Sequence, residues 1–327
     1  MLLRAASVLA TAGLHADAIA AASLRASPSE PFEAPFDDFY VFDPYDPQSS
    51  ADGDTPVGVR WTPPPRDGEW PFKGPHEGTR WENRMLIVPD KKFAFCYIEK
   101  NACTQFNRLV NALNGMSSSD AIPFWKSNSE GRHFKQYFKD GLSNISKANG
   151  WKMGIFLRDP AERFLSAWLS KCDAWEYGGI DCLGPRVSDL PLDKKVEMFE
   201  KMVVELLPKY MARVQALGEY NAHYDPQHIF CGGKRIEEYD FVGKLSGSPA
   251  HIQQQVVNML RRDAGMTDSD PLMDLSRDLF PSKSTAGHGT GSTNLVKQFF
   301  RNRTIYEKVV KVFAEDYRWA SSVLKAQ

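Results

Sequence analysis

Short apolar runs typical of buried strands alternate with segments of helical spacing through the second part of this chain. The strands predicted in this way cover residues 92–98, 151–157 and 239–245, with a shorter edge strand at 85–88. Helices are predicted at residues 104–113, 161–171, 192–217, 252–260 and 305–320, and Pro208 is expected to kink or divide the third. This alternation predicts an α/β fold in which helices flank a central parallel sheet.

The chain divides by composition into three parts. Residues 1–24 place Arg4 before a small apolar run, which is the layout of a signal peptide or a weak signal-anchor and also of a disordered Ala-rich tail. Residues 25–82 are rich in Pro, Asp, Gly and Ser and are predicted to form a stem or linker. Residues 83–327 are predicted to form the folded domain, so any membrane association would come through the N-terminus alone.

The overall charge balance limits the ligands that this chain can attract. The 327 residues carry a formal net charge of -1, so no global field favours nucleic acid or an anionic membrane. Any anion site must therefore be built locally. No usual metal-ligand spacing of Cys, His or carboxylates is present, and no metal is expected. Nothing in the sequence defines an oligomeric state.

The five cysteines leave at least one thiol unpaired in a monomer. Cys172 and Cys182 flank a short loop, and their spacing suits either a disulfide in an oxidising compartment or two free thiols. Two sequons, at residues 144–146 and 302–304, permit glycosylation.

The first predicted strand-to-helix turn has the composition of an anion-binding loop. It contains Lys100, small residues at 101–103, and the hydroxyl of Thr104 at the predicted helix start. In open α/β sheets, ligands bind where strands end and helices begin, because unpaired N–H groups and the helix dipole attract anions. The nucleotide-hydrolase motif GxxxxGK[ST] is absent, which argues against ATP or GTP hydrolysis. Taken alone, the turn also fits a solvated lysine beside an ordinary helix cap.

The second turn carries a sharper pattern. Asp159 is placed as an N-cap, Pro160 as the first helical residue, and Glu162 as the third residue of a capping box. Arg158 then lies at the strand end, and Ser166 lies about two turns along the helix on the same face. A guanidinium and a hydroxyl together suit a terminal phosphate monoester. Alternatively, Arg158 pairs with a carboxylate, and Ser166 packs in the fold without binding a ligand.

Several segments match one family in the same order. They are IEKNACTQF at 98–106, FLRDPAERFLSAW at 156–168, the segment 223–245, Lys283-Ser284-Thr285, and Tyr306-Glu307-Lys308 followed by Asp316-Tyr317. Together they resemble the Golgi carbohydrate sulfotransferases, which include the chondroitin and dermatan enzymes, and their algal and protist relatives. The chain departs from the family pattern after Cys231, where Gly232 and Gly233 stand in place of a nearby second cysteine.

The resemblance implies a P-loop-like sulfotransferase fold and a donor, 3′-phosphoadenosine-5′-phosphosulfate (PAPS), with a carbohydrate hydroxyl as acceptor. It implies that Lys100 meets the phosphosulfate and that Arg158 and Ser166 bind the 3′-phosphate. The other donor-binding residues expected are Asn101, Ala102, Cys103, Thr104, Gln105, Lys283, Ser284 and Thr285. It also implies residence in the secretory pathway, in the Golgi lumen.

The acceptor hydroxyl needs a base, and histidine is the side chain suited to that task near neutral pH. His223 lies in the family-like segment and is preferred here. His133 lies between the two phosphate loops and is the alternative, and a carboxylate is the third candidate. Two other function classes stay open: a kinase-like nucleotide-dependent transferase, and a glycan-binding relative without catalysis.

Overall fold

The computed structural model describes residues 84–116, 143–175, 179, 181–217, 221–245, 248–283 and 292–325. The segments predicted at 1–24 and 25–82 lie outside the described residues, as do His133, Ser284 and Thr285.

The described strands form one sheet in the order β1 (Met85–Val88), β2 (Phe93–Cys96), β3 (Lys152–Leu157) and β4 (Phe241–Lys244). β2 pairs with β3 and β3 with β4 in parallel, as the sequence predicts. β1 is antiparallel to β2, with Met85 opposite Cys96. The turn at Pro89–Lys91 is too short for the crossover that a parallel neighbour needs, so the edge strand returns antiparallel.

Helices connect and cover these strands. They are α1 (Cys103–Leu113), α2 (Pro160–Trp168), α3 (Leu192–Lys201), α4 (Leu207–Leu217), α5 (Pro249–Asp263), α6 (Pro271–Leu279), α7 (Ser292–Phe299), α8 (Arg303–Val312) and α9 (Ala314–Lys325). α1 follows β2 and α2 follows β3, so both helix N-termini lie at the carboxyl edge of the sheet. No described helix is both long and apolar enough to cross a membrane.

Two predicted helices are divided. The segment 192–217 forms α3 and α4, joined by a π-helical turn at Met202–Leu206 just before Pro208. Proline lacks an N–H and crowds the preceding turn, so the helix loses its regular ladder there. The segment 305–320 divides into α8 and α9 at Phe313, whose backbone leaves the helical region. α6 and α7 were not predicted, because each has fewer than ten residues and little room for a periodic signal.

The sheet is buried on both faces. Ile87, Ala94 and Ile155 belong to the core on one face, and Leu86, Phe95 and Phe156 belong to the core on the other. α1, α5 and α6 cover the second face, and the segment 229–239 with part of α9 covers the first. A third core lies among α2, α3, α4, α7 and α8. Packing on both faces therefore holds β2 and β3 in place where the two turns leave the sheet.

Candidate active site

The turn after β2 leads into a helix start that no side chain caps. Lys100 and Ala102 both adopt left-handed backbone conformations, with φ of 69° and 52°. α1 begins at Cys103, and its N-cap residue Ala102 has no side chain able to cap it. The first turn of a helix cannot satisfy its own N–H groups, and no acidic residue occupies this one. A left-handed turn leading into such a helix start is a concave site for negative charge.

Asn101 has a structural role within this turn. Its backbone N–H donates to the Ile98 carbonyl at 3.1 Å, so that N–H serves the turn itself. Its side-chain amide donates to the Phe156 carbonyl at 2.9 Å and to Gln227 Oε1 at 2.7 Å. Asn101 therefore ties the first turn to the end of β3, while the N–H groups of residues 103–105 belong to the first helical turn.

Lys100 reaches toward the second turn. Its Nζ donates to Oγ of Ser170, a fully buried residue in the π-helical continuation of α2 at Leu169–Asp173. Its carbonyl accepts from Arg158 Nη1 at 3.1 Å. The ammonium group and the backbone of Lys100 thus both contact the segment that follows β3.

The second turn forms the N-cap that the sequence predicts. Asp159 Oδ1 accepts from the Glu162 N–H at 2.9 Å, and Pro160 occupies the first helical position. Asp159 Oδ2 also accepts from the Tyr317 hydroxyl at 3.0 Å. Burial raises the pKa of Asp159 to about 7, while the hydrogen bonds that it accepts act in the opposite direction.

Arg158 is held between the two turns. In addition to its bond to Lys100, its Nη2 donates to Glu162 Oε1 at 2.7 Å, an i,i+4 ion pair with both side chains largely buried. The sequence left open that Arg158 pairs with a carboxylate, and this structure contains that pair. Ser166 lies on α2 and is buried, at 3% exposure.

Gln227 connects both turns, and sequence reasoning did not single it out. Its Oε1 accepts from Asn101 and, at 3.2 Å, from the Arg158 N–H, while its Nε2 donates to the Arg158 carbonyl at 2.8 Å. Its own N–H donates to Asp316 at 2.9 Å. The buried side-chain amide of Gln227 thus bonds to both loops. Asp316 on α9 holds the backbone N–H of the same residue.

Arg163 is a second connector that sequence reasoning missed. Its guanidinium, 1% exposed on α2, donates to the carbonyls of Glu99 at 2.8 Å, Asp225 at 2.6 Å and Ala222 at 2.9 Å. It therefore joins the start of the first turn to the backbone on both sides of His223. The available signal was an arginine on the apolar face of a helix, where a charge must find several partners.

His223 faces acidic and amide oxygens through one ring nitrogen. Its Nδ1 lies 3.2 Å from Asn221 Oδ1 and 3.5 Å from Asp181 Oδ2. Burial and the positive charges of Lys171, Lys100, Arg163 and Arg84 lower the pKa of His223 to about 2. The imidazole is therefore neutral in the free protein and lies within the electrostatic reach of Lys100.

A second histidine forms a tighter carboxylate pair. His228 Nδ1 lies 2.7 Å from Asp316 Oδ1, and its Nε2 is buried with no hydrogen-bond partner among the described residues. The side chain of His228 is 7% exposed, compared with 19% for His223. Of the two, His223 is the more accessible to an acceptor.

A family model described as "Sulfotransferase family" matches residues 83–319, which include both turns and each site residue described above. The chain belongs to the sulfotransferase family.

Curated relatives of this sulfotransferase are distant. It is 24% identical over 255 residues to the uncharacterized Caenorhabditis elegans protein C18B2.2, covering 72% of this chain and 68% of that one. It is 26% identical over 200 residues to mouse carbohydrate sulfotransferase 14, covering 58% and 50%. It is 29% identical over 90 residues to human carbohydrate sulfotransferase 9, covering 27% and 20%. The chain thus spans half or less of the two named enzymes, and no solved structure matches it.

The remaining predicted site residues lie in two places. Cys103, Thr104 and Gln105 form the first turn of α1, with Thr104 exposed. Lys283 is exposed four residues after α6 ends. Within the described ranges, no group of three or more His, Cys, Asp or Glu side chains is arranged to hold a metal ion.

Two disulfides flank the site. Cys172 pairs with Cys182, which is one of the two states that the sequence left open, and Cys96 pairs with Cys231 across 135 residues. The second bridge joins β2 to the segment that carries Gln227, and the sequence did not predict it. Cys103 is the free thiol among the described cysteines.

Proposed function

We propose that this sulfotransferase moves a sulfuryl group from PAPS to a hydroxyl, and that the acceptor is a carbohydrate. The observation that carries the proposal is the bonding of the two strand-to-helix turns to each other. Arg158 donates to Lys100, and Gln227 bonds to both Asn101 and Arg158. The ammonium group and the uncapped helix start of one turn are thereby fixed beside the guanidinium of the other.

The first turn suits a phosphosulfate. The donor supplies a sulfuryl group bonded to a phosphate, and negative charge grows on the bridging oxygen as that bond breaks. In this proposal, Lys100 and the N–H groups of residues 103–105, which form the first turn of α1, stabilise this charge. Because these donors are already fixed by the fold, they need little reorganisation during the reaction.

The second turn suits a 3′-phosphate. Arg158 offers a planar guanidinium, and Ser166 lies two turns along α2. Glu162 holds the guanidinium at 2.7 Å in the free protein and would share it with the bound anion. Lys283, Ser284 and Thr285 are proposed as further donor contacts.

His223 is proposed as the general base. Two oxygens face its Nδ1, which favours a proton on Nδ1 and leaves the Nε2 lone pair for the acceptor hydroxyl. His133 is the alternative, and it lies outside the described residues. Burial, and then the positive charges around His223, lower its pKa, and a bound polyanion would offset the part that comes from those charges.

The carbohydrate acceptor is supported by the names of two relatives, carbohydrate sulfotransferases 9 and 14. Residence in the secretory pathway is supported by the two disulfides, which persist in oxidising compartments. The Golgi lumen and an N-terminal anchor or signal at residues 1–24 are part of the same proposal.

PAP, the nucleotide product, should stabilise the protein far more than ADP, which lacks the 3′-phosphate. At a PAP concentration about 100-fold above its Kd, mass action adds about 2.7 kcal/mol. For the 237 residues matched by the family model, this is a rise in Tm of about 5–10 °C. ADP lacks the charge-assisted bonds to the 3′-phosphate, each worth about 1.5–3 kcal/mol. At the same concentration, ADP should therefore raise Tm by about 1–2 °C at most.

Thermal melts of the wild type and of Ser166→Ala with each nucleotide make this measurement. Ser166→Ala removes one hydroxyl from a buried position and should reduce the difference between the Tm rises caused by PAP and by ADP. Equal shifts for PAP and ADP in the wild type would remove the 3′-phosphate role of Arg158 and Ser166.

Transfer itself is tested with ³⁵S-labelled PAPS and a panel of glycans and small alcohols, beside γ-labelled ATP with Mg²⁺. We expect label in at least one glycan from PAPS and none from ATP. Transfer from ATP would identify a kinase-like enzyme instead. PAP binding without transfer to any member of the panel would favour a non-catalytic glycan-binding relative.

A further inference from the structure

Asp181 lies between a buried lysine and the candidate base. Its Oδ2 is 3.5 Å from His223 Nδ1 and 3.7 Å from Lys171 Nζ. The Lys171 side chain is 2% exposed, whereas the Asp181 side chain is 34% exposed. The carboxylate therefore joins the end of α2 to the segment around His223.

A disulfide sets the position of this carboxylate. Lys171 immediately precedes Cys172, and Asp181 immediately precedes Cys182. The bridge between these cysteines holds their Cα atoms 5.0 Å apart. Closing a short loop in this way restricts where the residue next to each cysteine can lie, so the bridge keeps Asp181 near Lys171.

Asn221 holds the same segment from the other side. Its Nδ2 donates to the Asp181 carbonyl at 3.1 Å. Its Oδ1 accepts from the His223 N–H at 3.1 Å and faces the His223 ring nitrogen at 3.2 Å. A backbone N–H can only donate, so the atom facing His223 must be the amide oxygen.

These contacts define the tautomer of His223. Both groups at Nδ1, the Asn221 oxygen and the Asp181 carboxylate, are acceptors, so Nδ1 carries the proton and Nε2 is the free base. The charged groups whose fields lower the pKa of the ring are Lys171, Lys100, Arg163 and Arg84. Among the described residues, Asp181 is the carboxylate in ion-pair distance of the ring, where it can stabilise the imidazolium that forms when Nε2 takes a proton.

We propose that Asp181 is the positioning residue of His223 and that the Cys172–Cys182 bridge, together with Lys171, holds Asp181 in that place. The inference rests on the proposed function, because it gives His223 the role of base. Asp181 does not touch the reacting atoms and acts only through the imidazole.

Two substitutions separate the charge of Asp181 from its oxygen. Asp181→Ala removes both and should lower kcat by about 10- to 100-fold, a part of what a general base contributes. Asp181→Asn keeps an oxygen able to face Nδ1 and should retain an intermediate kcat. PAP affinity should change by less than about twofold in either, because the contacts of Asp181 among the described residues are to Lys171, His223 and Asn221 rather than to either turn.

The matched control is Asp189→Ala, an exposed aspartate between Cys182 and α3 whose Oδ1 accepts from the Ser188 hydroxyl. It should keep the wild-type kcat. The bridge is tested with Cys172→Ala/Cys182→Ala rather than a reductant, since a reductant would also open Cys96–Cys231. This double variant should lose as much kcat as Asp181→Ala, and adding Asp181→Ala to it should lower kcat little further.

Nitrogen NMR of His223 supplies a readout that does not depend on transfer. The wild type should show Nδ1–H and a bare Nε2. Asp181→Ala should move part of the population to the Nε2–H tautomer, although the Asn221 oxygen at 3.2 Å still accepts from Nδ1. A wild-type tautomer and kcat in Asp181→Ala would overturn the proposal. The proposal would also be overturned if Asp181→Ala lowered kcat by the same factor in a His223→Ala background as in the wild type. If the wild type transfers no sulfuryl group, the proposed function is wrong. The tautomer measurement still tests whether Asp181 positions the His223 ring.

Discussion

Lys100→Ala is expected to lower kcat by about 10²- to 10³-fold, the usual effect of removing one preorganised donor from a developing oxyanion. The affinity for PAP should fall by less than about tenfold, because negative charge on the bridging oxygen is largest in the transition state. Steady-state transfer rates and calorimetric titration with PAP measure the two effects separately. The Lys100 ammonium, fixed on Ser170, need not be ordered when the donor binds.

Two further variants complete this test. Lys201→Ala removes a lysine from an exposed position on α3 and should leave both kcat and PAP affinity unchanged. Lys100→Arg keeps the charge but changes the contact to Ser170, so its kcat should be intermediate. A loss of PAP affinity as large as the loss of kcat would show that Lys100 binds the ground state, contrary to the role proposed here.

The parts of this site that the sequence predicted are those with a local signal. The Asp159 cap and Pro160 at the first helical position depend only on residues within one turn of each other. The strands at 93–96 and 152–157 are apolar runs apart from the exposed Lys152 that begins the second, since a parallel strand covered on both faces has no polar side. Both kinds of signal were confirmed.

The connections between the turns had no local signal. Gln227 bonds to Asn101 across 126 residues and to Arg158 across 69, and an isolated glutamine shows neither partner in a sequence. The Cys96–Cys231 bridge spans 135 residues for the same reason. These contacts depend on which segments the folded sheet brings together, and a single sequence without that geometry cannot give them.

Arg158 shows how one pattern can fit two outcomes. The sequence predicted a phosphate contact and also allowed a carboxylate partner, and the free protein contains the ion pair with Glu162. An arginine and a glutamate four residues apart across a helix start meet readily, whether or not a ligand binds there. The spacing therefore predicted the place of the guanidinium, while its ligand remains a proposal.

His223→Ala is expected to lower kcat by about 10²- to 10⁴-fold, the contribution of a positioned general base. It should also remove the acid limb of the pH profile. A base acts when deprotonated, so the wild-type kcat should rise with pH as the imidazolium loses its proton. In the free protein the pKa of His223 is lowered to about 2, first by burial and then by the cationic groups around it.

Donor binding decides where that limb lies. The phosphates of the donor should neutralise part of the positive field, so the pKa of His223 rises toward its usual value of about 6.5 in the complex. We therefore expect the acid limb in kcat, which reports the complex, at a higher pH than any limb in kcat/KM for the donor, which reports the free enzyme. NMR titration of His223 with and without PAP measures the same shift directly.

The controls for this prediction are other histidines. His251→Ala removes an exposed imidazole from α5 and should keep both the rate and the acid limb. His133→Ala should also keep the limb, because His223 rather than His133 is the proposed base. If His133→Ala abolishes the limb and His223→Ala does not, His133 is the base. The low pKa of His223 then reflects only its burial beside Lys171 and Lys100, a place where a neutral imidazole packs at lower cost than a charged one.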